Sequence, residues 1–316
     1  MKFKAGKTYD ALFLSDIHYL LNKKVKEHGH RELFQFLDHL HKRRVRFRAI
    51  YLVGDIIESW YFNAGRQFKK KKKRFHRLFD RFDNVAAPGA EKYYIIGNHD
   101  TTSFTMDLDA DIRRYLETRL WHVTEKVETE DMVILHGHQG QYTRLTWMFD
   151  ILIVRLCFSL AYLFPELWRV AENFYHSHLN GRDPRTPEQA IQYYGRLSHV
   201  SGQGDRILVS GHTHGFLCIP ELKVINTGDW LHNRTFVIRN KDRMIGGRVL
   251  KKKSYKTEFE FKLYKSGKKN KLKLEVEQAQ ENPFFMPGHV PFKKKRKDRQ
   301  DKSRKKEKKA KQEREP

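Results

Sequence analysis

Five short clusters in this chain combine carboxylate, imidazole and amide side chains with glycine. They are Ser15-Asp16-Ile17-His18, Gly54-Asp55-Ile56-Ile57-Glu58, Gly97-Asn98-His99-Asp100, His136-Gly137-His138 and Gly211-His212-Thr213-His214. Oxygen and imidazole donors without thiolate suit Mn²⁺, Fe²⁺ or Zn²⁺ and disfavour an all-oxygen calcium site. In the Asp-x-His and His-x-His pairs the two side chains stand two residues apart, so both leave an extended segment on the same side and can reach one cation or two adjacent ones. A single pair of this kind is a weak signal, because a lone histidine near a core is more often a hydrogen-bonded packing residue than a ligand. Five in one chain, each directly after an apolar run, are a metal-site pattern whose confirmation is their convergence in space.

Convergence requires a scaffold that ends several strands at one edge. Alternating apolar runs predict strands at residues 11–15, 49–53, 93–96, 132–135, 207–210, 224–226 and 235–239, and the spacing of Leu33, Phe34, Leu37 and Leu40 predicts a helix over 31–43. The order is that of an α/β fold, in which ligands gather beyond the carboxyl ends of the strands. Roughly 70 residues separate the strand ending at Leu135 from the one beginning at Ile207, too many for a simple connection. Most of them read as helix, including 190–197, and we expect a helical cap inserted over about 141–200. Lys69 to Lys73 lie in a second basic block, followed by Phe75, Leu78, Phe79 and Phe82 at helical spacing, which predicts one exposed helix face over 66–77.

The 316 residues include 63 Lys plus Arg against 38 Asp plus Glu, a net charge of +25, with 39% apolar residues. That composition excludes a wholly disordered chain, a collagen and a small disulfide scaffold, and it supplies a real core. Residues 293–316 carry 14 basic and 5 acidic side chains, +9 of the total. Segments of that density repel themselves and bury nothing, so 291–316 are expected to be a disordered Lys/Arg-rich tail after a folded domain over 1–290. A β-rich extension is expected at about 250–280, turning near Gly267. Cys157 and Cys218 imply no disulfide framework, and the apolar start at Leu12, Phe13 and Leu14 is too short for a signal peptide, which points to the cytoplasm. The most apolar stretch, 147–168, is interrupted by Asp150, Arg155 and Glu166. It therefore reads as a buried helix, or as an amphipathic one that touches a membrane or an acyl chain, rather than as a span.

In order and content, the five clusters resemble the calcineurin-like metallophosphoesterase superfamily, with its D-x-H, G-D-x-x-[DE], G-N-H-[DE], H and G-H-x-H elements. Residues 51–60, the helical insertion and the run Ile225-Asn226-Thr227-Gly228-Asp229-Trp230 resemble its UDP-2,3-diacylglucosamine diphosphatase-like branch. The superfamily pattern covers residues 10 to about 240.

The resemblance implies a four-layer α/β/β/α sandwich and two divalent cations, with Mn²⁺ ahead of Fe²⁺ or Zn²⁺. It implies that Asp16, His18, Asp55 and His214 hold one cation while Asp55, Asn98, His136 and His212 hold the other, with a bridging hydroxide as nucleophile. His99 is then the catalytic histidine and Glu58 the carboxylate that orients it. The chain departs from the branch pattern at His138, where relatives often have Asp, and His138 is given no role.

Three functions compete. The first is a phosphohydrolase acting on a small-molecule or lipid-linked nucleotide sugar, peripheral to the inner face of the membrane. The second is a phosphodiesterase or nuclease drawn to nucleic acid through the basic tail. The third is a scaffold that keeps the fold without chemistry. The intact ligand set favours an enzyme. Oligomeric state is not legible in the sequence.

Overall fold

The computed structural model describes residues 3–19, 30–60, 64–101, 107–140, 149, 152–153, 156–157, 184, 186–231, 233–250, 255–266 and 271–279. The first half of the chain forms β1 (Thr8–Leu14), α1 (His30–Lys42), β2 (Arg46–Val53), α2 (Ala64–Lys70), α3 (Lys72–Val85), β3 (Ala86–Ile95), α4 (Ala110–Thr118), β4 (His122–Thr124), β5 (Lys126–Glu128) and β6 (Met132–Leu135). The second half adds α5 (Pro187–Ser201), β7 (Ile207–Ser210), β8 (Phe216–Ile219), β9 (Val224–Thr227), β10 (Thr235–Asn240), β11 (Arg243–Val249), β12 (Tyr255–Ser266) and β13 (Lys271–Ala279).

The strands build two mixed sheets, one of eight in the order β13-β12-β11-β10-β1-β2-β3-β4 and one of five in the order β5-β6-β7-β9-β8. Period-two alternation stacks them face to face. Along β1, Leu12 and Leu14 join the core under the helices, while Ala11 and Phe13 join the core between the sheets. β2 divides in the same way, with Ile50 and Leu52 to one side and Ala49, Tyr51 and Val53 to the other. In the second sheet Met132, Ile134, Ile207 and Val209 face inward, and Val133, Leu135 and Leu208 face α5. Phe13, Tyr51 and Tyr93 stack in a row on the inter-sheet face, at centroid separations of 4.8 and 5.0 Å. The layers are thus helix, sheet, sheet, helix, the α/β/β/α sandwich that the sequence leads one to expect. Strands buried on both faces read as continuous apolar runs, which is why they are visible in the sequence.

The outer layers rest on amphipathic faces. α1 buries Leu33, Phe36, Leu37 and Leu40, and α3 buries Phe75, Leu78, Phe79, Phe82 and Val85. Phe36, not Phe34, completes the α1 stripe; Phe34 is partly buried and carries the Arg77 and Arg81 guanidiniums over its ring at 5.4 and 4.4 Å. The single basic helix face expected over 66–77 is two helices, broken at Lys71, whose φ of −137° and ψ of 38° are not helical.

Of the stretch assigned to the cap, α5 packs Ala190, Tyr193, Tyr194 and Leu197 on the outer face of the second sheet. Residues 141–148, 150–151, 154–155, 158–183 and 185 lie outside the described residues, and so does most of the apolar run at 147–168. Gly267 and the basic tail at 291–316 also lie outside them. β12 and β13 pair antiparallel from Phe259 opposite Ala279 to Ser266 opposite Lys271. Among the described residues no helix is long and apolar enough to cross a membrane.

Candidate metal centre

Register brings the five clusters together. β1, β2 and β3 run parallel with Leu14 opposite Leu52 and Leu52 opposite Tyr94, so the chain leaves all three at one edge. β6, β7 and β9 do the same in the second sheet, with Ile134 opposite Val209 and Ser210 opposite Asn226. The turns that follow are tight and strained. Asp16, His18, Asp55, His212 and His214 all take positive φ, between 47° and 72°. L-residues adopt that region at a cost, and such outliers cluster at functional sites because surrounding structure holds them there. Two glycines let backbone come close. A Cβ on Gly54 would fall on the His136 ring, and one on Gly97 would fall on the Asp55 carboxylate and backbone nitrogen.

The expected ligand side chains converge in two donor groups, and His18, Glu58 and His99 form a third cluster beside them. Asp16, His18 and His214 each bring a ligand atom to within 4.8 Å of the others, and Asp55, His136 and His212 do likewise. In the first group His214 Nε2 lies 3.1 Å from Asp16 Oδ1 and 3.4 Å from His18 Nε2. In the second, His136 Nε2 lies 3.1 Å from Asp55 Oδ2 and 3.1 Å from Asn98 Oδ1. Asp55 Oδ2 faces both groups, since it is also 4.0 Å from His18 Nε2.

The chemistry of the donor set fits cations. His136 Nδ1 donates to the Val53 carbonyl at 2.9 Å, which fixes the ring so that Nε2 faces the carboxylate. This is the arrangement in which a histidine presents its second nitrogen to a metal. Asp16 is fully buried, yet its Oδ1 accepts no hydrogen bond even with His214 Nε2 so close. An orphaned buried carboxylate oxygen beside imidazole nitrogens is the signature of lone pairs aimed at a common point. Burial opposes charge on His136, but the Asp55 carboxylate outweighs it and lifts the imidazole to about 9. Asp55 is held well below the carboxylate range because His136, His99 and His18 together overcome its own burial. Burial and the neighbouring His136 push His212 well below the usual histidine value.

Glu58 ties the metal groups to His99. Its Oε2 accepts from His99 Nδ1 at 2.9 Å and from His18 Nδ1 at 3.1 Å, and its Oε1 accepts from the Trp60 backbone nitrogen at 2.8 Å. The Trp60 ring stacks on the His99 ring at 4.0 Å and 16°, and its Nε1 donates to the Asn98 carbonyl at 2.7 Å. Burial resists ionisation of Glu58, yet His99 and His18 bring its pKa down to about 2, while Glu58 and Asp55 raise that of His99 against burial. Asp100 holds the loops from behind. Its Oδ2 accepts from the Asp55 and Gly97 nitrogens at 2.8 Å each, and its Oδ1 accepts from Ile57 nitrogen at 2.8 Å and the Tyr94 hydroxyl at 2.6 Å. Desolvation and the nearby Asp55 push its pKa up to about 7, while its four hydrogen-bond partners are all donors, as a carboxylate requires.

The structure therefore brings Asp16, His18, Glu58, Asp55, Asn98, His99, His136, His212 and His214 to one place. His138 lies beside the second group, with its ring centroid 5.6 Å from His136 and 6.3 Å from His212, but in neither donor group. Sequence reasoning missed the supports. Tyr193 donates to the Gly137 carbonyl at 2.7 Å, and the Tyr194 hydroxyl meets Thr213 Oγ1 at 2.9 Å. Asn226 Nδ2 donates to the Tyr194 hydroxyl at 2.7 Å and to the Gly211 carbonyl at 2.6 Å. The position of Asn226 at the end of a strand was a signal; for two tyrosines in a helical run there was none.

No family model and no curated relative matches the chain. Among solved structures, a dimetal phosphatase from Danio rerio is similar, with a TM-score of 0.40 and 11% identity over 76% of this chain and 95% of that one. A likeness of that size carries no conclusion about chemistry, which rests on the residues above.

Proposed function

We propose that this chain is a dinuclear metal-dependent phosphohydrolase that cleaves a phosphoester or diphosphate bond. The observation that carries the proposal is the Asp55 carboxylate, set 3.1 Å from His136 Nε2 and 4.0 Å from His18 Nε2, between two donor groups that contain an orphaned Asp16 oxygen. Asp16, His18, Asp55 and His214 would hold one cation, and Asp55, Asn98, His136 and His212 the other. Two divalent cations there, Mn²⁺ ahead of Fe²⁺ or Zn²⁺, would supply charge neutralisation for a phosphoryl group and a more acidic water. Glu58 keeps His99 oriented through Nδ1 and favours its protonated form, so Nε2 is the atom from which a proton reaches the leaving oxygen. Trp60 covers the flat face of His99 and excludes water from it. Seven ligand side chains with these supports are more than a scaffold needs.

For the substrate we propose a lipid-linked nucleotide sugar of the UDP-diacylglucosamine kind, met by an enzyme peripheral to the cytoplasmic face of a membrane. Phe149, Leu152, Ile153 and Leu156 support that choice. They are helical residues at spacings of three and four, and each is more than 40% exposed, apolar side chains of the kind that meet acyl chains or lipid. A nucleic-acid substrate is the second reading, favoured by the net charge of +25.

Turnover with added Mn²⁺ on UDP-diacylglucosamine, bis-p-nitrophenyl phosphate and a single-stranded oligonucleotide tests both, with Asp55→Ala as control. UMP release from the lipid alone, lost in Asp55→Ala, is the expected result. Oligonucleotide cleavage would replace the substrate, and failure to bind any metal would remove the proposal.

A further inference from the structure

His138 stands beside the metal centre but, unlike the other site histidines, belongs to no donor group among the described residues. It is 8% exposed, its Nδ1 is buried without a hydrogen-bond partner, and its ring stands 5.6 Å from His136 and 6.3 Å from His212. A buried imidazole nitrogen left unsatisfied destabilises a protein unless something else meets it. Metal coordination does not account for it, because no ligand atom of His138 joins the Asp55, His136 and His212 atoms that lie within 4.8 Å of one another. A side chain beside the Asp55, His136 and His212 donor group but not part of it would be placed to meet what a cation held there binds.

Local structure holds the ring there. Gly137, at φ +121°, turns the chain between His136 and His138, and its space is closed by the Tyr193 hydroxyl and the His212 side chain, each 3.2 to 3.3 Å from where a Cβ would stand. The Gly137 nitrogen donates to Gln139 Oε1 at 3.0 Å and the Gly137 carbonyl accepts from Tyr193 at 2.7 Å, so the residue before His138 is pinned through both backbone groups. A ring fixed at a metal centre, with an unpaired nitrogen and no ligand role, has the attributes of a substrate contact.

We propose that His138 is a substrate-binding residue that donates a hydrogen bond to a phosphoryl oxygen held at the Asp55, His136 and His212 side of the centre. The inference rests on the phosphohydrolase reading. No proton changes hands in this contact: the imidazole supplies N–H to an anionic oxygen, a bond stronger than one between neutral groups.

The test is calorimetric binding of orthophosphate to the Mn²⁺-loaded full chain, with metal content measured on the same samples. His138→Ala is expected to keep both metals and to bind orthophosphate tenfold to a hundredfold more weakly. His138→Asn or His138→Gln, whose amides can stand in for Nδ1 or Nε2, is expected to recover most of that loss, which also covers the case in which the alanine variant fails to fold. Unchanged orthophosphate affinity with two metals bound would overturn the inference and leave the phosphohydrolase intact. Loss of one metal in all three variants would overturn it by making His138 a ligand. A wild-type chain that takes up no metal would remove both.

Discussion

Glu58 sits between two imidazoles, and its consequences are measurable without any cation. Its pKa of about 2 lies below the ordinary 4.5, so its ionised form contributes stability that is complete above pH 4.5 and lost as pH falls towards 2. That contribution is on the order of 3 kcal/mol for a shift of this size. His99 has the opposite sign. Its pKa is raised above 6.5, so its contribution is complete below 6.5 and lost as pH rises through the raised value. Thermal unfolding of metal-free protein is therefore expected to show the largest difference between wild type and Glu58→Gln at pH 4.5 to 6.5, narrowing on both sides; a difference independent of pH would contradict the arrangement. Gly97 gives a sharper test. Any Cβ there meets the Asp55 carboxylate, so Gly97→Ala is expected to bind fewer than two Mn²⁺ per chain by elemental analysis while keeping the far-ultraviolet dichroism of the wild type. Two metals bound at wild-type affinity would show that the carboxylate has room to move.

Elements decide whether those residues meet, and α5 reaches the ligand loops of the second sheet from outside. Tyr193 holds the Gly137 carbonyl, and Tyr194 holds Thr213 together with Asn226, so one helix braces the loops of His136 and of His212 and His214. Removing one hydroxyl costs about 1–3 kcal/mol where it leaves a buried partner unpaired. Tyr193→Phe and Tyr194→Phe are expected to weaken Mn²⁺ binding several-fold and to lower thermal stability in metal-free protein. Reduced stability with unchanged Mn²⁺ affinity would make the pair structural only. None of this was legible in the sequence, where 190–197 reads as a helix without a partner. The ligands were legible because each follows a strand buried on both faces, which writes itself as an apolar run ending in Asp16, Asp55, Asn98, His136 or His212. β4 and β5, three residues each, are too short to carry a period, and the half-buried β11 holds Gly246 and Gly247 inside it. The break at Lys71 separates the apolar face of α2, with Ala64 and Phe68, from that of α3, and a uniform run of lysines does not record it.

At the scale of the whole molecule, charge and apolar exposure point the same way. Residues 293–316 hold +9 of the +25, and α3 carries Lys72, Lys73, His76, Arg77 and Arg81 on an open face with the acid Asp80 among them. Each basic residue near an anionic surface is worth about 1 kcal/mol, an attraction that fades within a Debye length of about 8 Å at physiological salt. Exposed Phe149, Leu152, Ile153 and Leu156 would add a term that salt does not screen. The two contributions separate in a sedimentation assay. The full chain is expected to pellet with vesicles rich in phosphatidylserine at low salt and to be largely released at 0.5 M NaCl. A chain ending at residue 290 is expected to bind more weakly but to stay salt-sensitive, because the basic face of α3 remains. Changing Leu152 and Leu156 to Asp is expected to abolish whatever binding survives high salt. No sedimentation with vesicles of any composition would remove the membrane from the proposal, and the same charges would then be explained by nucleic acid if the full chain retarded an oligonucleotide with comparable salt dependence.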